Sequence, residues 1–189
     1  MLVDNMNTSP APDLLLKTLR KITAALQGVG HKPVAIGDLA QGAWGSKRAP
    51  RGVQLLVASG EAHRGAILSA ARGEGIQQEP GPSPLRLKYA DAKLGGSADI
   101  DLLEASTPFH KQVIGRAQPG DVLQVYMPLA TVDDVILLGV ASDGAGDREA
   151  VVELLRANAG RIDAGYLKKE AEAAGTFDKL KSAWQEARK

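Results

Sequence analysis

VAIGDLAQGAWGSKRAPRGVQLLV, residues 34–57, is the stretch that decides the fold. The short apolar runs at its two ends are typical of buried strands. Between them lie a glycine turn at Gly37, a helix-compatible segment, and a loop whose basic residues are Lys47, Arg48 and Arg51. The order of strand, glycine turn, short helix, basic loop and strand predicts an α/β unit.

The composition of the 189 residues restricts the core and the chemistry. Hydrophobic residues make up 44% of the chain and aromatic residues only 4%, so the core must be aliphatic. With 23 basic and 22 acidic residues, the charge balance gives no argument for nucleic acid as an obligatory partner. Because there is no cysteine, thiolate nucleophiles and cysteine-based zinc sites are excluded, and three scattered histidines argue against a histidine metal site.

The chain lacks the apolar segments that membranes require. The first 13 residues have no basic region followed by an apolar one, as a secretory signal would. No apolar run elsewhere reaches the length needed to cross a bilayer. We therefore expect a cytoplasmic protein with no membrane partner.

Periodicity and turn residues predict the elements around the opening stretch. We expect a turn-rich connection at 77–84, a hairpin loop at 90–96 and a turn at Pro119-Gly120. The predicted helices span about 13–27, 38–44, 61–72, 107–116, 131–140, 147–158, 163–174 and 177–187, and the predicted strands 33–36, 53–58, 85–89, 97–103 and 122–127. The predicted organisation is a flexible N-terminus (1–12), an α/β core (13–130) and a helical extension packed on it (131–189).

Several polar residues are candidates for a site, and each also has an ordinary structural interpretation. Asp99 and Asp101 alternate on a strand and so share one face, where they could hold a cation or form a solvated surface. Asp38 could be a general base, but capping the short helix is the favoured interpretation. The loop at 45–52 could hold phosphate or RNA through its basic residues, although a solvated basic loop is favoured.

The order of these motifs resembles the minimal nucleotidyltransferases of the DNA polymerase β superfamily, in particular bacterial proteins of the AbiEii-type toxin group. In those proteins a strand ends in Gly-Gly or Gly-Ser, and a short helix, an Arg-x-Thr-x-Asp loop and an Asp-x-Asp strand follow. Here the corresponding segments are Gly37-Asp38, LAQGAW, GSKRAPR and GVQLLV, and Ile100-Asp101-Leu102-Leu103 resembles the strand with the third carboxylate. The resemblance covers most of residues 13–155 and implies a nucleotidyltransferase-like mixed sheet flanked by helices, with a C-terminal helical extension.

The family's chemistry explains those residues. Two Mg²⁺ ions stabilise the attacking and leaving oxygens of an in-line displacement at the α-phosphate. Magnesium prefers carboxylate oxygens, which the family supplies from two positions on one strand and a third on the neighbouring strand. The glycine turn lets backbone N–H groups approach the triphosphate.

This sequence departs from the family pattern at four positions. Gly52 and Gln54 stand where the two aspartates belong, and neither offers a charge to a metal ion. Asp38 places a negative charge where the triphosphate should lie, and Gly139 stands where many relatives have a lysine. Of the three carboxylates that the family uses, only Asp101 remains.

These departures favour a nucleotidyltransferase-like protein that has lost catalysis and acts as a binding or regulatory protein. We expect no cofactor, and a protein partner or self-association, with nucleotide or RNA as a weaker possibility. The alternative is an active transferase with a displaced Mg²⁺ site built from Asp99, Asp101 and Asp38. Any nucleotide or phosphate would then contact Gly37, Asp38, Lys47, Arg48 and Arg51. The Gly95-Gly96-Ser97 turn before Asp99 is interpreted as a hairpin turn and not as a separate site.

Overall fold

A computed structural model describes residues 9–58, 61–81, 85–142 and 146–189, without the side chains of 61–63. Within these ranges the strands form one mixed seven-stranded sheet in the order β3-β4-β5-β2-β1-β7-β6. The elements in chain order are α1 (Pro12–Gly28), β1 (Val34–Ala35), α2 (Gly37–Ala43), β2 (Gly52–Val57), α3 (Glu61–Gly73), β3 (Ile76–Gln78), β4 (Leu85–Asp91), β5 (Gly96–Glu104), α4 (Pro108–Arg116), β6 (Gln118–Val122), β7 (Val125–Leu129), α5 (Val132–Ala141), α6 (Asp147–Ala157), α7 (Ala164–Ala173) and α8 (Phe177–Ala187). This architecture confirms the predicted α/β (α+β) class.

The two strands that matter for the site, β2 and β5, lie side by side at the centre of the sheet. They run parallel, and the pairing places Gln54 opposite Asp101. One face of the pair is fully buried, since Val53, Leu55 and Ile100 are each 0% exposed. The alternation that buries these residues turns Gln54 and Asp101 to the other face.

The first helix is where the sequence predicts it. Pro12 opens α1 at a position where its missing N–H costs nothing, and Asp13 adds a negative charge in the first turn. Leu19, Ile22 and Leu26 are spaced to share one face of the helix, and each is 0% exposed. Helix α1 therefore packs on the sheet through a face that is mainly aliphatic, with Thr18 and Thr23 also buried.

Threonine caps begin two later helices, close to the predicted starts at 107 and 131. The Thr107 hydroxyl accepts the N–H of His110 at 3.1 Å, and the Thr131 hydroxyl accepts the N–H of Asp134. Each bond satisfies one of the donors that a helix start leaves free. The caps fix where α4 and α5 begin relative to the sheet.

A buried carboxylate joins the sheet-side helix α4 to the later helices α5 and α7. Asp134 is fully buried, and it accepts hydrogen bonds from Tyr166 Oη at 2.6 Å, Thr131 Oγ1 at 2.7 Å and Arg116 Nε at 3.2 Å. The Arg116 guanidinium also lies 4.0 Å from the centre of the Tyr166 ring. Several donors on one buried charge make this junction costly to break.

The structure corrects two predictions about the sheet. Pro119 and Gly120 do not form a turn but belong to β6, an edge strand in which a missing N–H is tolerated. The chain instead reverses at Leu123 and Gln124, both with positive φ, so that β7 begins at Val125. The predicted connection at 77–84 also proved partly wrong, because β3 pairs with β4 there.

Two predicted irregular segments lie partly outside the described residues. They are the flexible N-terminus (1–12), of which residues 1–8 are not described, and the connection at 77–84, of which residues 82–84 are not described. The hairpin loop before β5 is described, and the pairing of Asp91 with Gly96 confirms it. Within the described ranges no helix combines the length and apolar character needed to span a membrane.

Candidate functional site

A crevice of about 210 Å³ lies where α2, β2, β5 and α5 meet. Four of the candidate residues line it: Gly37, Asp38, Arg51 and Asp101. Gln54 and Asp147 also line it, and its apolar part consists of Ile36, Leu103, Val135 and Leu138. The fold thus brings together residues that lie up to about a hundred positions apart in the sequence.

The glycine turn is covered by the side chain of Gln54. Gly37 has φ +59°, a left-handed conformation that glycine adopts without strain. A Cβ atom at this position would lie 1.5 Å from Gln54 Oε1, so a side chain here would have to displace the Gln54 amide. Gln54 Oε1 also accepts the N–H of Asp38 at 3.2 Å. The side chain of Gln54 therefore fills the space above Gly37 and also binds the N–H of Asp38 in α2.

Asp38 does not cap α2, contrary to the favoured prediction. The N-cap position is Ile36, which makes no side-chain cap, and Asp38 lies inside the helix. The Asp38 carboxylate instead accepts from the backbone N–H, Nε and Nη2 of Arg51 at 3.1, 2.8 and 3.0 Å. Burial alone would raise the pKa of Asp38, but the hydrogen bonds and positive charge of Arg51 hold this pKa below its ordinary value.

Arg51 also bridges to the start of α6. Its Nη2 lies 3.4 Å from Asp147 Oδ1, and the second Asp147 oxygen accepts from the Ser142 hydroxyl. The guanidinium thus joins two carboxylates across the mouth of the crevice. Nothing local in the sequence signals this contact, which joins residues 96 positions apart.

The two aspartates of β5 share one face and both line a recess beside Arg86 and Lys88, but only Asp101 of the two reaches the crevice. Asp101 lines the crevice, is 35% exposed, and lies 3.8 Å from Arg86. Burial raises the pKa of Asp101, while the charge of Arg86 and a hydrogen bond from Gln54 act in the opposite direction. Asp99 does not line the crevice; its side chain is 69% exposed and lies 3.6 Å from Lys88.

Gly52 and Gly139, the other two positions that depart from the family pattern, lie close to neighbouring atoms. A Cβ atom on Gly52 would lie 2.7 Å from the backbone oxygen of Asp99, because β2 and β5 approach closely there. A Cβ atom on Gly139 would lie 2.8 Å from Val151 Cγ2 on α6. Both positions are therefore packed in a way that a larger residue would disturb.

The remaining loop cations lie outside the crevice. The Arg48 guanidinium contacts the backbone oxygen of Gly146 and lies 3.4 Å from Glu149. The backbone N–H of Lys47 donates to Glu153 at 3.3 Å, and Ser46 donates to the same carboxylate at 2.7 Å. These contacts tie the loop to α6, and they do not place either cation against the glycine turn.

The carboxylates of the crevice do not fit a pair of Mg²⁺ ions. Among the side chains that the structure describes, no group of three or more His, Cys, Asp or Glu could hold a metal ion. Asp38 is engaged by Arg51, and Gln54 presents a neutral amide beside Asp101. A two-metal mechanism needs anionic oxygens shared between both ions, which this arrangement does not offer.

Comparisons with known proteins identify the fold. No family model and no curated protein matches the sequence. The crystal structure of ANT(2")-Ia in complex with adenylyl-2"-tobramycin is similar with a TM-score of 0.60 and 13% identity, over 84% of this chain and 95% of that chain. An antigenic nucleotidyltransferase-like protein from Paracoccidioides brasiliensis has a TM-score of 0.60 and 10% identity, over 94% and 95%.

JHP933 from Helicobacter pylori is also similar, with a TM-score of 0.50 and 12% identity, over 95% of this chain and 93% of that chain. Identities this low carry information about the fold and not about activity. The chain therefore has a nucleotidyltransferase-like fold, as the resemblance in its sequence implies.

Proposed function

We propose that this protein retains a nucleotidyltransferase-like scaffold, has lost metal-dependent nucleotidyl transfer, and acts as a binding or regulatory protein. The observation that carries the proposal is the position of Gln54. Its side chain fills the space over Gly37 and accepts the N–H of Asp38, the donor that would otherwise face a phosphate. A triphosphate at this turn would have to displace a side chain that is already hydrogen-bonded.

The charges around the crevice also disfavour a nucleotide. Three carboxylates line it, those of Asp38, Asp101 and Asp147, against the single guanidinium of Arg51. Arg51 is already bound to two of these carboxylates, so using it for phosphate would leave both unpaired. Like charges brought together in a half-buried site repel strongly, and a triphosphate would therefore meet an unfavourable potential.

The partner in this proposal is a protein or a second copy of the chain, with nucleotide or RNA as weaker candidates. The relation to AbiEii-type proteins, and a toxin–antitoxin-like or signalling setting, belong to the same proposal. They rest on the order of the motifs in residues 34–57 and around Asp101.

The alternative is an active transferase, and one observation favours it. Asp38, Asp101 and Asp147 line a single crevice, so three carboxylates are available near the glycine turn. They could serve a metal only if Arg51 released Asp38 and Asp147. Asp99, the other residue of the predicted displaced site, does not line the crevice.

The two hypotheses are separated by an assay for nucleotidyl transfer. Purified protein is incubated with Mg²⁺ or Mn²⁺ and each nucleoside triphosphate labelled at the α-phosphate, alone and with total RNA or a bacterial lysate as acceptor. We expect no labelled product and no heat when Mg²⁺–ATP is titrated into the protein. Labelling that disappears in Asp101→Ala but persists in Asp178→Ala, an exposed acid on α8, would establish the active alternative.

A further inference from the structure

A second recess lies between α7 and α8, and we call it the α7–α8 groove. It has a volume of about 270 Å³ and is lined by Lys168, Phe177, Leu180, Lys181, Trp184 and Arg188, together with Ala164 and Gln185. We propose that this groove binds an acidic peptide segment of a protein partner, one that inserts a bulky apolar side chain between flanking aspartates or glutamates.

The floor of the groove is apolar and aromatic. Phe177, Leu180 and Trp184 follow one another at helical spacing, so they share one face of α8. Leu180 is buried, whereas Phe177 and Trp184 are only partly buried against the core. Within the described residues the indole N–H of Trp184 has no hydrogen-bond acceptor. A partly buried tryptophan whose donor has no acceptor among the described residues can anchor a partner's side chain and backbone.

The rim of the groove carries charges of one sign. Its lining includes Lys168, Lys181 and Arg188 and no acidic residue. Lys168 makes only an exposed contact with Glu172 at 3.8 Å, and within the described residues Lys181 and Arg188 have no ion-pair partner. Cations spread around an apolar recess complement a segment in which carboxylates flank an apolar residue.

The shape of the groove favours a peptide over a lipid surface. The apolar surface is a recess between two helices, and its volume suits one or two inserted side chains. Helices that bind membranes instead present a continuous apolar face outward. The groove shares no residue with the crevice, so this inference does not depend on whether the crevice has lost catalysis.

The test is a selection of random 12-residue displayed peptides on the purified full-length chain. A fluorescein-labelled peptide with the enriched sequence is then titrated by fluorescence anisotropy. We expect the enriched sequences to share a bulky apolar residue flanked by Asp or Glu. Lys181→Glu and Arg188→Glu should each weaken binding by about tenfold. Lys169→Glu, a control on α7 that does not line the groove, should leave the affinity unchanged.

Folding of each variant is checked by far-UV circular dichroism and thermal unfolding, since all three positions are exposed. The proposal is overturned by a selection that enriches nothing, by basic or purely polar consensus sequences, or by binding that survives both rim substitutions. It is also overturned if no peptide binds the protein but phosphatidylglycerol vesicles do, and if Lys181→Glu abolishes the vesicle binding. Dimerisation lost in the same variant, measured by light scattering, would instead assign the groove to a second copy of the chain.

Discussion

Replacing Gly52 tests whether the sheet requires glycine at the position where the sequence resemblance would place a carboxylate. Gly52 pairs with Asp99 across the parallel strands β2 and β5. A Cβ atom here would lie 2.7 Å from the Asp99 backbone oxygen, closer than carbon and oxygen normally approach. Gly52→Ala should therefore force the two central strands apart by several tenths of an ångström.

The expected cost combines two opposing effects. Overpacking in a well-packed interior costs about 1–3 kcal/mol. Replacing glycine by alanine also lowers the conformational entropy of the unfolded chain, which raises the free energy of unfolding by about 0.4–1 kcal/mol. The net loss in the free energy of unfolding should be about 1–2 kcal/mol. For a chain of this length that corresponds to a fall in Tm of roughly 2–8 °C.

The measurement is urea unfolding followed by tryptophan fluorescence, with thermal unfolding by circular dichroism. Gly115→Ala is the matched control, because Gly115 lies in α4 with nothing within 4 Å of a Cβ atom. Alanine is the better helix former, so this control should gain about 0.5–1 kcal/mol. Gly52→Asp should be less stable than Gly52→Ala, since its carboxylate would face Asp99, and added Mg²⁺ should not restore it.

Two outcomes would refute the reasoning about Gly52. If Gly52→Ala were as stable as the native chain while Gly115→Ala gained stability, the spacing of β2 and β5 would not require glycine. If Mg²⁺ raised the Tm of Gly52→Asp but not of Gly52→Ala, the crevice would still be able to assemble a metal site. The second result would favour the active alternative, because that hypothesis requires a metal site.

Two further substitutions test the ion pairs that hold the elements together. Asp38→Asn should lower the free energy of unfolding by about 1–2 kcal/mol at pH 7, because it weakens charged hydrogen bonds to a half-exposed arginine. Since the pKa of Asp38 is lower in the folded chain than in the unfolded chain, this difference should shrink as pH falls below about 4 in urea unfolding; a difference that grew in acid would contradict it. Tyr166→Phe should cost about 1.5–3 kcal/mol in the same assay, since it removes a donor to the buried carboxylate of Asp134. Tyr126→Phe, at a side chain that is 76% exposed, should cost nothing measurable, and equal losses at both tyrosines would exclude this explanation.

The parts of the fold that the sequence predicts correctly are those with strong local signals. Helix α1 has a proline start and a regular apolar face, and α4 and α5 begin at threonine caps within one residue of the predicted starts. The turn between β6 and β7 was missed because it uses Leu123 and Gln124, whereas such turns usually contain asparagine or glycine. Pro119 instead suggested a turn where the chain forms an edge strand.

The structure brings only some of the candidate residues together. Gly37, Asp38 and Asp101 line one crevice, whereas Asp99 and Lys47 do not line it. The spacing of motifs did not reveal that Arg51 binds Asp38 or that Gln54 covers the turn, since both depend on how two separate segments fold together. Propensity favoured a capping role for Asp38, and an arginine 13 positions away overrode that preference.

The contacts inside the crevice make it a junction of the fold. Gln54 fastens β2 to the start of α2, and Arg51 links Asp38 on α2 to Asp147 on α6. A site that had merely lost its carboxylates would be left with unpaired groups and open space. Here the polar groups bind one another, so a nucleotide that entered the crevice would break hydrogen bonds and ion pairs that connect β2, α2 and α6. A surface with unpaired charges is the better place to look for a binding function, and Lys181 and Arg188 on the rim of the α7–α8 groove have no ion-pair partner among the described residues.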